Sequence, residues 1–157
     1  MIYYIFKQQI FTIFLSMTHL TALTFTDRIH DYVGGTQGDF KIYELNKKKS
    51  LVFEAKRKGI DKNFITFTKD KKYHFNIKYD EKQSNKDIEV KQAQKCSLYT
   101  LIKETKKYKL FECPKSLFIA SSKVNVNGEV ISKNKFLSKG PPLWINGKLT
   151  YYKGKVL

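Results

Sequence analysis

Tyr73-His74-Phe75-Asn76-Ile77-Lys78-Tyr79 is the stretch that decides the fold class. Apolar Tyr73, Phe75, Ile77 and Tyr79 alternate with polar His74, Asn76 and Lys78. This is the period of two by which a strand sends successive side chains to opposite faces. The alternation predicts a half-buried core strand with Tyr73, Phe75 and Ile77 inward and His74 and Asn76 outward. Such a face needs a second sheet, or a partner, to cover it.

The same rhythm extends in both directions. Short runs rich in β-branched and aromatic residues predict strands over 40–44, 50–54, 63–68, 97–103, 107–112 and 117–121, separated by turn-forming residues. Asn127-Gly128 and Asn146-Gly147 supply the two positive φ angles of type I′ turns, so each marks a hairpin. No helical period lasts longer than two turns. Residues 80–94, with Ile88, Val90 and Ala93, read either as a weak helix or as a linker followed by a strand. The expected class is all-β: one or two small antiparallel β-sandwiches built from short strands and hairpins. The polar run 83–86 predicts a boundary between a sandwich domain over 25–82 and a hairpin-rich half over 87–157. That half is either a second small domain or a continuation of the same sheet.

The first 24 residues read differently. From Gln8 to Thr26 there is no charge, and Ile10, Phe11, Ile13, Phe14, Leu15, Met17, Leu20 and Leu23 follow Lys7. A charged start and an apolar middle predict a signal peptide or an N-terminal anchor over 1–24, with small residues Ala22 and Thr24 placed for cleavage after Thr24. The competing reading is a buried N-terminal helix or strand.

With aromatic residues at 15% and apolar residues at 41%, the chain has the means to bury a core despite a formal charge of +16. A positive potential of this size attracts anionic partners. Of the 30 basic residues only Arg28 and Arg57 are arginine, and the lysines are spread from Lys41 to Lys155. Sequence-specific reading of guanine favours the planar guanidinium, so this composition argues against it. Dispersed lysines predict at most non-specific polyanion binding that weakens steeply with salt.

Signatures of catalysis are missing. His19, His30 and His74 lack zinc-ligand spacing, and Gly34-Gly35 with Gly38 is not followed by the Lys-Ser/Thr of a phosphate-binding loop. No nucleophile elbow or paired-carboxylate pattern is present. The sequence therefore predicts no enzyme activity, no cofactor and no metal. Its two cysteines, Cys96 and Cys113, are symmetric about the polar turn Lys103-Glu104-Thr105-Lys106. A hairpin centred there opposes Tyr99 with Leu110, Leu98 with Phe111 and Leu101 with Tyr108, and brings the thiols within disulfide reach. In an oxidising compartment the pair is expected to be bridged.

Between Gly34 and Tyr79 the order of parts is Gly38-Asp39-Phe40-Lys41-Ile42, Lys49-Ser50-Leu51-Val52-Phe53, Lys62-Asn63-Phe64-Ile65-Thr66-Phe67-Thr68 and Tyr73-His74-Phe75-Asn76-Ile77. This succession resembles the N-terminal β-sandwich domain of the VirB-type subunit of type IV secretion and conjugation core complexes. The resemblance implies a non-catalytic, periplasmic or outer-membrane-associated component of an envelope-spanning assembly, oligomeric and in contact with other subunits. No binding residue of that family is carried over to this chain. Two other functions share the composition. One is a basic nucleic-acid-binding module with Tyr73, Tyr79 or Trp144 stacked on bases; the other is an exported adhesin or inhibitor.

Overall fold

The computed structural model describes all 157 residues, and every regular element in it is a strand. The chain divides into two compact units: Met1–Tyr3 with Lys7–Lys91, and Tyr4–Phe6 with Gln92–Leu157. The boundary lies beyond the polar run 83–86, which forms only a turn.

The first unit holds β1 (Ile2–Ile5, whose last residues join the second unit), β2 (Phe11–Leu15), β3 (Thr21–Phe25), β4 (Ile29–Gly34) and β5 (Phe40–Leu45). It continues with β6 (Ser50–Ala55), β7 (Asp61–Thr68), β8 (Lys72–Tyr79) and β9 (Asp87–Gln92). One sheet has the order β1-β9-β3-β6-β5, the other β2-β8-β7-β4. Phe53 of β6 in the first sheet meets Phe64 of β7 and Phe75 of β8 in the second, with ring centroids 5.4 and 6.4 Å apart. Phe40 and Phe11 extend this cluster, each against one of those rings at 5.5 and 5.1 Å. Edge-to-face and offset contacts of this kind add to the area the rings bury. The two sheets thus form a sandwich with a phenylalanine core.

Residues 1–24 take the form of the competing reading, buried N-terminal strands: they supply β1, β2 and most of β3. Tyr3, Ile5, Phe11, Ile13, Leu15 and Leu23 are all buried. β2 lies parallel to β8, Phe11 opposite Phe75 and Leu15 opposite Tyr79, and all five of its residues are buried. A strand covered on both faces reads as a continuous apolar run rather than an alternating one, which is why it resembles the middle of a signal peptide. β3 is likewise parallel to β9, so the antiparallel pattern expected throughout does not hold in this unit. β9 also settles the 80–94 ambiguity in favour of a strand, with Ile88 and Val90 buried.

The second unit contains β10 (Thr100–Glu104), β11 (Tyr108–Cys113), β12 (Ser116–Ser121), β13 (Val124–Val126) and β14 (Glu129–Ile131). β15 (Lys135–Leu137), β16 (Leu143–Ile145), β17 (Lys148–Tyr152) and β18 (Lys155–Val156) complete it. Its sheets run β10-β11-β12-β15 and β14-β13-β16-β17-β18. Leu110, Leu117, Ile119 and Leu137 from the former join Val126, Leu143, Ile145 and Tyr151 from the latter in one core. Both Asn-Gly pairs close hairpins, β13–β14 and β16–β17, with φ of 50° and 87° at Asn127 and Gly128 and of 51° and 77° at Asn146 and Gly147.

The β10–β11 register differs from the one expected. Leu101 faces Phe111 and Glu104 faces Lys109, with a bulge between Leu101 and Lys103. The turn is displaced because the Thr105 side chain closes it: Oγ1 accepts from the backbone N–H groups of Lys107 and Tyr108 at 3.2 and 3.1 Å. Such a threonine turn competes with a longer ladder.

Candidate binding surface

Strand alternation divides the sheet β10-β11-β12-β15 into two faces. Leu110, Leu117, Ile119 and Leu137 point into the core of the unit. The opposite face then carries Leu101, Phe111, Phe118 and Phe136, aligned by register: Leu101 opposite Phe111, Phe111 opposite Phe118, Phe118 opposite Phe136. Neighbouring rings touch, with centroids 6.0 Å apart for Phe111 and Phe118 and 4.8 Å for Phe118 and Phe136.

The segment before β10 crosses this aromatic row and is tied to the β11–β12 turn at three points. Gln94 N–H donates to the Lys115 carbonyl at 3.0 Å, and Ser116 Oγ donates to the Gln94 carbonyl at 2.7 Å. Cys96 is bonded to Cys113 in a disulfide. So anchored, the segment sets Tyr99 against Phe118 in a stacked contact at 4.8 Å and edge-on to Phe111 at 4.9 Å. It also places Lys95 Nζ 5.8 Å from the centre of Phe136, a cation–π geometry. Leu98, Tyr99 and Leu101 remain exposed, at 88%, 42% and 44%. Contiguous exposed apolar area of this kind marks interaction sites more often than scattered single residues do.

The charge of this unit is one-sided. Between Gln92 and Leu157 there are thirteen lysines and three carboxylates, Glu104, Glu112 and Glu129. Each carboxylate is already engaged: Glu104 with Lys109 at 3.4 Å, Glu112 with Lys139 at 3.5 Å and Glu129 with Lys135 at 3.5 Å. Glu112 also accepts from Tyr151 Oη at 2.5 Å. Burial, then this carboxylate, drives the Tyr151 phenol well above its ordinary range.

In the first unit the most enclosed charged group is Asp39, in the turn that leads into β5. Its Oδ2 accepts from Thr36 N–H at 3.1 Å and Thr36 Oγ1 at 2.8 Å, while Oδ1 faces Arg57 Nε and Nη2, both at 2.8 Å. The Thr36 hydrogen bond, followed by the Arg57 hydrogen bond and the nearby Lys62 and Arg57 charges, holds its carboxyl below the usual range. Gly35 in the same turn has φ +68°, and a Cβ there would lie 2.2 Å from the Phe40 ring. The glycine-rich turn seats Phe40 in the core and locks the carboxylate, a structural task.

Of the residues singled out from sequence, Cys96 and Cys113 form the disulfide although Cys96 lies outside β10. Phe75 and Ile77 are buried in the sandwich core. Tyr73 is half-buried, its ring 5.1 Å from Phe25. Tyr79 donates its hydroxyl to Glu81, and the backbone N–H of Trp144 donates to Asn127 Oδ1 at 2.9 Å. Neither they nor Tyr73 lies on the aromatic row. The row was missed, and its signal is visible in the adjacent apolar pairs Leu110-Phe111, Leu117-Phe118 and Phe136-Leu137. There the two-residue period places apolar groups on both faces of the sheet. His30 and Asp31 line a shallow pocket with Tyr32, Glu44 and Lys48. No three of the His, Cys, Asp and Glu side chains gather as metal ligands do. No protein-family model matches the chain, and no curated protein matches it in sequence.

Proposed function

We propose that the protein is a non-catalytic, exported β-sandwich component of an envelope-spanning assembly of the type IV secretion kind, acting through contacts with other subunits. The observation that carries this reading is the Cys96–Cys113 disulfide, which is compatible with an oxidising, extracytoplasmic compartment. One further feature adds support. The stretch that resembles the VirB-type sandwich domain runs through four consecutive strands, β5 to β8, entered through the Asp39 turn. Export is argued from the disulfide and not from residues 1–24, whose apolar side chains are used by the core.

The test is to isolate the chain from its native cell after crosslinking, with free thiols alkylated at lysis. Recovery in the envelope fraction, in a crosslinked complex and with neither cysteine alkylated, supports the reading. Recovery from the cytosol with both thiols alkylated overturns it.

A further inference from the structure

We propose that the outer face of β10-β11-β12-β15 binds single-stranded nucleic acid, with an unpaired base stacked on Tyr99, which the phenylalanine row supports from beneath, and lysines on the phosphates. The proposal goes beyond the assembly reading and does not depend on it. Three observations carry it together. The rings of Tyr99, Phe111, Phe118 and Phe136 form a continuous aromatic strip across three strands and the tethered segment. The outermost ring, Tyr99, is packed from beneath yet stays 42% exposed, a surface on which a flat base can lie. Lastly, thirteen lysines against three glutamates give the unit a strong positive charge, and Lys95 and Lys109 lie on the same face as the rings, which suits an anionic partner.

The competing occupants fit less well. A second copy of the chain would bring two strongly positive units together. A duplex hides the faces of its bases, which leaves the aromatic strip without a role. An acidic polypeptide satisfies the charge but has no particular need of flat rings, whereas every base offers a π-face to an aromatic platform. The scarcity of arginine, which disfavours sequence reading, is no obstacle, because stacking is sequence-tolerant. Lys95, over Phe136, lies where a phosphate beside a stacked base would pass. Lys109, on the same outward face, is available on exchange of its exposed partner Glu104.

The experiment measures fluorescence anisotropy of labelled oligo(dT)15 and oligo(U)15 with the full chain at 150 mM salt. The fifteen-base-pair duplex, heparin and poly-glutamate serve as comparison ligands. Both single strands are expected to bind alike and more tightly than the duplex. Tyr99→Ala should weaken single-strand binding roughly tenfold, the range for loss of one stacked base, and leave heparin binding unchanged. Tyr99→Phe should retain binding, and Lys95→Gln should lower the salt dependence. Val33→Ser, at an exposed site in the first unit, should change nothing. Thermal melts of each variant show that the fold is intact. Since Tyr99 is a surface residue, the ring is removable without opening the core. Equal binding by wild type and Tyr99→Ala, or a duplex bound as tightly as the single strands, overturns the proposal in favour of charge attraction alone. Poly-glutamate binding that is lost in Tyr99→Ala while oligonucleotide binding is not overturns it in favour of an acidic protein partner.

Discussion

Arg57 chelates one oxygen of Asp39, with Nε and Nη2 each 2.8 Å from Oδ1, while Thr36 occupies the other oxygen through its N–H and hydroxyl. The start of β5 is thereby pinned to the loop after β6, and every good acceptor position of the carboxylate is filled. Asparagine in its place presents an amide N–H₂ to donors on whichever side it faces. Asp39→Asn is therefore expected to lower the urea midpoint at pH 7. The pH dependence has a definite sign. A carboxyl whose folded pKa is depressed stabilises above its unfolded-state value, near about 4, and loses that contribution as pH falls through the folded value. The gap between wild type and Asp39→Asn should thus shrink between pH 5 and pH 3. Urea titrations across that range check it, and a constant gap would show that the carboxylate charge is not responsible.

The Cys96–Cys113 bond joins the segment before β10 to the end of β11 across a sequence separation of 17. In the chain-entropy description, closing a loop of this length contributes about 3 kcal/mol by restricting the unfolded chain. Replacing both cysteines by serine should reduce stability by that amount in denaturant titrations, and adding reductant to the wild type should have the same effect. Alkylation without reductant should modify neither cysteine in protein isolated under non-reducing conditions. Because the bond also holds Tyr99 over Phe118, exposure of that tyrosine should rise on reduction.

Phe75 packs against Phe11, Phe53 and Phe64 at once, whereas its neighbour His74 points to the other face of β8. Phe75→Ala should cost about 3–5 kcal/mol, the range for deleting a buried phenylalanine, and His74→Ala should be close to neutral. Equal losses from the two substitutions in urea unfolding would mean that the strand is turned over relative to its register.

How far the sequence was legible depends on how each strand is covered. β8 has one buried and one more open face and alternates in sequence, and β5 to β7 are short β-branched and aromatic runs set off by turn residues, so their spans could be read to within a residue or two. The two Asn-Gly hairpins were legible for a different reason, since few dipeptides accept positive φ twice in succession. β2 was not legible as a strand. Its residues Phe11 to Leu15 are buried on both faces, and without alternation an apolar run at the start of a chain matches a leader equally well. The cysteine pairing was right and its hairpin register wrong, because symmetry about Glu104 and Thr105 ignored the hydrogen bonds of the Thr105 side chain. On the binding surface the difficulty lay in the ladder itself. Phe118 meets Phe111 and Phe136 only through strand pairing, and sequence separations of 7 and 18 residues hide that row.

Residues 1–24 give the most decisive test of the fold. Removing them deletes β1, β2 and all but the last residue of β3, and with them the buried side chains of Tyr3, Ile5, Phe11, Ile13, Leu15 and Leu23. Burying one such side chain is worth about 1.5–3 kcal/mol. Six together are comparable with the whole margin of about 5–15 kcal/mol by which a domain is stable. The loss also strips β8 and β9 of their parallel partners and leaves both with unpaired edges. A chain beginning at residue 25 should therefore lose the cooperative unfolding transition of the first unit and the near-ultraviolet circular dichroism of its packed aromatic rings, keeping at most the signal of the second unit, while the 157-residue chain shows both in full. If the shortened chain instead retains the whole near-ultraviolet signal and unfolds with the amplitude and midpoint of the full chain, the three N-terminal strands contribute nothing to stability. The apolar run would then have to be read as a detachable segment after all.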